Sequence, residues 1–137
     1  MPFVLDASVA ACWFFPDETH PVASRAWLLI QEDDAMVPAH WWFEVRNTML
    51  VGERRGRSTE QRTGFAINRL ERMTIRHAPH PLDADVFALA RKYAMTFYDA
   101  AYLELAQKWM SLAAHMEQSR ERRNRLLSSG SEEERAH

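Results

Sequence analysis

Three carboxylates stand where an acid needs a physical reason: Asp6, Glu44 and Asp99. Asp6 directly follows the apolar run Phe3-Val4-Leu5, which reads as a short buried parallel strand. In open α/β sheets, ligands gather outside the carboxyl ends of strands. The competing reading makes Asp6 the N-cap of a helix beginning near Ser8. Glu44 lies within Trp41-Trp42-Phe43-Glu44-Val45, an apolar setting that predicts a largely buried helix. An ionised Glu there requires a partner, a cation or a raised pKa. A salt bridge with Arg46 or another basic residue would satisfy it equally. Asp99 follows Thr96 at the spacing of N-cap and N3, which the helix dipole favours without any chemistry.

Each acid alone has a bland explanation. Together they suggest a different one. Three clustered carboxylates repel unless a divalent cation neutralises them, and oxygen-only ligands select Mg²⁺ or Mn²⁺ over zinc. Such a centre can activate water and stabilise the leaving oxygen of a phosphodiester.

The elements that must position these acids follow from periodicity. A helix is expected over 8–15, stopped before Pro16. Pro21 opens a second, with Val22, Ala26, Leu29 and Ile30 as its apolar face. Ala35-Met36-Val37 reads as a strand, and residues 39–55 as an aromatic-rich helix closed by basic residues and Gly56. Ser58 and Gln61 have capping-box spacing for a helix carrying Phe65, Ile67, Leu70 and Met73. A strand over 73–77 precedes the breakers Pro79 and Pro81. A helix over 82–94 carries Val86, Leu89, Ala90 and Tyr93, and Thr96 caps another over 97–108. The alternation predicts an α/β fold with a small parallel sheet.

Composition narrows the class. A chain of 137 residues with 47% hydrophobic content fits one globular domain. The single cysteine, Cys12, excludes an intramolecular disulfide, favours an intracellular setting and reads as core. The N-terminus has no basic region and is interrupted early by Asp6, unlike a signal peptide. No apolar stretch approaches the roughly 20 residues that span a membrane. The net charge of -2 argues against loose nucleic-acid coating but leaves local phosphate capture open. His77 and His80 lack neighbours at zinc spacing. Trp13, Trp27, Trp41, Trp42 and Trp109 read as core or dimer interface before base-stacking groups. Arg54, Arg55 and Arg57 read as dipole partners at a helix end, and Arg120, Arg122, Arg123 and Arg125 as a solvated face.

Three stretches, in order, carry a family resemblance. Phe3-Val4-Leu5-Asp6-Ala7-Ser8-Val9 resembles the start of PIN-domain proteins, in particular the VapC branch of bacterial type II toxin–antitoxin pairs. Trp42-Phe43-Glu44-Val45-Arg46-Asn47 resembles the second signature, an acid followed three residues later by Asn. Tyr98-Asp99-Ala100-Ala101-Tyr102-Leu103-Glu104-Leu105-Ala106 resembles the third and most specific one. The similarity covers about residues 2–113, so residues 1–113 are expected to form a PIN domain.

The resemblance implies a three-layer α/β/α fold with a small parallel sheet and the acids at one end. It implies Mg²⁺- or Mn²⁺-dependent endonucleolytic cleavage of RNA, leaving 3′-hydroxyl and 5′-phosphate ends. Asp6, Glu44 and Asp99 would be the catalytic and metal-binding acids. Ser8 matches a hydroxyl position near the metal, and Asn47 a polar position that orients Glu44. The implied partners are an RNA substrate, a second copy in a homodimer, and a cognate antitoxin that inserts a peptide into the acidic cleft. A cytoplasmic location follows. A PIN-like module without catalysis, binding RNA or an antitoxin, is the alternative. A branched-DNA nuclease ranks last, because 137 residues leave no room for clamp elements.

The pattern breaks after Ala113. The family would continue with a Thr, a fourth acid, a last helix and a closing strand. Here residues 114–137 form an atypical polar segment, and beyond Met116 the only apolar residues are Leu126, Leu127 and Ala136. A polar helix over 114–127 and a disordered end are expected, with the last strand missing or altered. Glu117 is a weak candidate for the fourth acid, and His115 reads as a surface residue. A change of reading frame near residue 114 would explain the break. Suitable codons from His115 onward, read in the neighbouring frame, encode Thr-Trp-Asn-Lys-Ala-Ala, close to the expected continuation.

Overall fold

A computed structural model describes residues 2–15 and 20–135. The elements run β1 (Phe3–Val4), α1 (Ala7–Cys12), α2 (Pro21–Glu32), β2 (Ala35–Val37), α3 (Trp41–Arg54), α4 (Glu60–Glu71), β3 (Ile75–His77), α5 (Asp83–Tyr93) and α6 (Phe97–Arg135). The architecture is α/β, with a parallel three-stranded sheet in the order β1-β2-β3. Phe3 pairs with Ala35, and Ala35 in turn with Ile75. Helices make each crossover, as parallel strands require. Two compact units divide the chain, Met1–Ala106 and Gln107–His137.

The central strand β2 is buried at all three residues. That is why Ala35-Met36-Val37 is a continuous apolar run rather than an alternating one. β1 and β3 lie at the edges and are only partly covered. Leu5, Ala35 and Val37 pack with Ala10 of α1, Ala26 and Ile30 of α2, Trp41, Val45 and Met49 of α3, and Ala66 and Leu70 of α4. Each fully buried Val or Leu contributes about 1.5–3 kcal/mol relative to an exposed one. A second cluster joins Val86 of α5 to Ala100 and Ala101 of α6.

Several boundaries and faces differ from the sequence reading. α1 ends at Cys12, with Trp13 and Phe14 in a turn; Pro16 lies outside the described residues. The Trp13 indole N–H donates to the Ala23 carbonyl at 2.8 Å, which fastens that turn to α2. Cys12 is half-buried rather than core. The buried face of α2 is Ala23, Ala26 and Ile30, whereas Val22 and Leu29 are exposed. In α4 the small residue Ala66 faces the core and Phe65 points to solvent. The cap of α4 is Thr59, whose hydroxyl accepts from the Arg62 N–H, and not Ser58. Tyr93 of α5 is likewise exposed. Hydrophobicity chose each stripe in the expectation, but close packing rewards small residues where elements approach.

α6 continues to Arg135 without a break near 108 or 114, so the expected disordered end is helical through that residue. Residues 136–137, and the side chains of Ala113, His115 and residues 130–135, lie outside the described residues. Among the described residues no strand follows β3, and no helix is long and apolar enough to cross a membrane.

Candidate active site

Asp6 lies two residues beyond β1 and caps α1. Its Oδ1 accepts from the Ser8 N–H at 2.7 Å and from the Ser8 hydroxyl. The capping role weighed against function is therefore real. It uses one oxygen of a carboxylate that offers about four lone-pair directions, so it does not exclude a second role. Ser8 thus stands against Asp6.

Glu44 lies in the first turn of α3 and is partly exposed, as are its neighbours Trp42 and Phe43. The helix is thus buried along one face, Trp41, Val45, Met49 and Gly52, and not largely buried as its composition implies. Arg46 is not the partner of Glu44. Its guanidinium stacks 3.9 Å over the Trp42 ring and donates to the Trp42 carbonyl. Asn47 is exposed, and the carboxylate is held from elsewhere.

Two residues approach it, and one of them binds it. The Tyr102 hydroxyl donates to Glu44 Oε1 at 3.1 Å. His40 Nε2 lies 3.0 Å from the same oxygen. That nitrogen is buried and its approach misses hydrogen-bond geometry, so the two groups lie close without a formed hydrogen bond. The His40 ring also packs edge-on against Tyr102 and Tyr98, at 5.0 and 5.5 Å between centroids.

Tyr102 reaches further. Its hydroxyl oxygen accepts from the Ala7 N–H at 3.3 Å, beside Asp6. Burial, and then the Glu44 carboxylate, push this hydroxyl far above the ordinary tyrosine range; Asp6 adds to the shift and the Ala7 N–H opposes it. The group therefore stays protonated and remains a donor.

Asp99 takes the N3 position of α6, with its N–H donating to the Thr96 hydroxyl at 3.1 Å. It is exposed and stands one helical turn before Tyr102. The structure thus joins the Asp6–Ala7 segment to Glu44 through one hydroxyl and sets Asp99 on the preceding turn of the same helix. Glu117 is exposed and paired with Arg120 at 2.6 Å.

Among the described residues, no three His, Cys, Asp or Glu side chains form a group that could hold a metal ion. The donor chemistry nonetheless fits a hard cation. Mg²⁺ keeps most of its water and binds through one or two carboxylates plus substrate phosphate. Asp6 and Glu44 are carboxylates of that kind, linked through one half-buried hydroxyl that binds Glu44 and the Ala7 N–H.

His40 and Tyr102 escaped the sequence reading as site residues. The signal was local: His40 precedes Glu44 by four residues, and Tyr102 follows Asp99 by three, both same-face helical spacings.

No family model matches the chain. It is 36% identical over 112 residues to Ribonuclease VapC3 of Pyrobaculum aerophilum, an alignment spanning 79% of this chain and 83% of that protein. Identity of this extent, over a parallel α/β fold with acids at the ends of its elements, settles kinship: the chain belongs to the VapC family of ribonucleases.

Proposed function

We propose that this protein is the toxin of a type II toxin–antitoxin pair and an Mg²⁺- or Mn²⁺-dependent RNA endonuclease. The observation that carries the reading is the Tyr102 hydroxyl bound to both Glu44 and the Asp6–Ala7 turn, in a chain related to a named ribonuclease. Asp6, Glu44 and Asp99 would hold the cation, with Ser8 and Tyr102 orienting the first two. When bound, the ion supplies Lewis acidity, lowering the pKa of a water and stabilising charge on the leaving oxygen. The chain's own part is to present oxygen ligands on separate rigid elements, so that a phosphodiester is held against them.

The expected partners are RNA, a cognate antitoxin and a second copy of the chain. The acids suit a basic side chain from an inhibitory peptide by simple charge complementarity. The residue 114–137 segment is read as an altered ending produced by a frame change near 114. The gene sequence checks this: a neighbouring frame without the expected continuation would remove the idea.

A second reading, a binding module without catalysis, is favoured by one observation. The described side chains gather no three-donor group. The two separate in one assay, with end-labelled RNA, purified protein and titrated Mn²⁺ against EDTA. The nuclease reading predicts metal-dependent fragments with 5′-phosphate ends, reduced at least about a hundredfold by Asp6→Asn or Glu44→Gln. Well-folded protein that binds Mn²⁺ and leaves RNA intact would establish the module instead.

A further inference from the structure

We propose that Tyr102 is a positioning residue: its hydroxyl ties Glu44 to the Asp6 turn and sets the spacing of the acids before any cation arrives. This rests on the reading of those acids as a metal centre.

The geometry is specific. One oxygen serves two partners far apart in sequence, accepting from the Ala7 N–H and donating to Glu44 Oε1. The tyrosine comes from α6, the Glu from α3 and the Ala7 amide from the first turn of α1. Glu44 is itself at the contact, Asp6 is the residue before Ala7, and Asp99 stands one helical turn before Tyr102. The sheet joins β1, β2 and β3 but does not itself fix α6, so a direct link between these elements matters for their registry.

Repulsion makes the link useful. Unneutralised carboxylates drift apart, and a neutral O–H donor at one of them lowers that tendency without competing for the cation. The ring itself is steadied by the edge-on contact with His40, at 5.0 Å and 84°. Tyr102 therefore acts through Glu44, which it holds against the Asp6–Ala7 turn, and it contributes no ligand of its own in this account.

The test uses the full chain and Tyr102→Phe, which keeps the ring packed against His40 and removes one oxygen. Three readouts are taken: amide exchange at Ala7 in metal-free protein, Mn²⁺ affinity by titration without RNA, and the split between KM and kcat for RNA. The account expects faster Ala7 exchange, Mn²⁺ affinity weakened about tenfold, lower kcat at subsaturating metal, and KM for RNA within about twofold of wild type. In a Glu44→Gln background the same substitution should weaken Mn²⁺ binding no further, since its effect passes through that carboxylate. Unchanged Mn²⁺ affinity in Tyr102→Phe, or an equal loss in both backgrounds, overturns the positioning role. A wild-type chain that neither binds Mn²⁺ nor cuts RNA overturns the metal centre itself, and the tie's purpose with it, before any substitution is made.

Discussion

Residues Met1–Ala106 and Gln107–His137 form two compact units held together by different physics. The first closes around buried side chains from the sheet and the helices that follow its strands. In the second, no side chain described between Gln107 and Ser129 is buried, and Met110, Leu112, Met116, Leu126 and Leu127 are exposed. There the backbone ladder and local pairs such as Glu117–Arg120 carry the helix. Isolated helices are marginal in water, because propagation barely outweighs the cost of nucleation. The same chain thus shows how much a core adds to a helix, and where its stability must reside.

The widest contrast should come from truncating large side chains. Trp41 is 2% exposed in the main core, and Trp41→Ala is expected to cost about 3–5 kcal/mol. Leu126 is 73% exposed, and Leu126→Ala should cost less than about 0.5 kcal/mol. Chemical denaturation of both variants checks this. Equal losses would break the distinction between the units.

Gly52 gives the next effect. A methyl group there would lie 2.5 Å from the buried Phe15 ring. Overpacking of this kind costs about 1–3 kcal/mol, which exceeds the gain of about 1 kcal/mol that Ala offers inside a helix. Gly52→Ala should therefore lower the melting temperature. Gly64 of α4 has nothing within 4 Å, so Gly64→Ala should raise it.

A smaller gain is expected at Ala94. This residue ends α5 in the left-handed conformation, with φ 50. Ala94→Gly should stabilise by roughly 0.5–1 kcal/mol, since Gly enters that region without a Cβ penalty. Differential scanning calorimetry resolves a change of that size. The smallest effect belongs to the second unit: Arg120→Ala removes an exposed pair and should change stability by less than about 0.5 kcal/mol.

Much of the fold was legible because its signals are local. Ala35-Met36-Val37 could hardly be other than a doubly covered strand, and Pro21 and Thr96 mark helix starts by their own chemistry. The faces of α2 and α4 were less so. Ala23 and Ala66 are buried because neighbouring elements come close, and that proximity is tertiary information. The continuity of α6 was missed for a related reason. Low hydrophobicity argues against burial but leaves Glu, Arg and Leu free to propagate a helix. At the candidate site, the three acids were visible as types in unusual places. The link from Glu44 to Tyr102 was not, because the two lie 58 residues apart along the chain. Asn47, near in sequence, was the natural choice and is exposed.

The most direct test of the central claim is a crystal structure grown with Mn²⁺, read by its anomalous signal. The account predicts one ion at oxygen-coordination distance, about 2.0–2.3 Å, from Asp6 together with Glu44 or Asp99. Carboxyl groups well over about 10 Å apart, with no ion or bridging water between them, would contradict it.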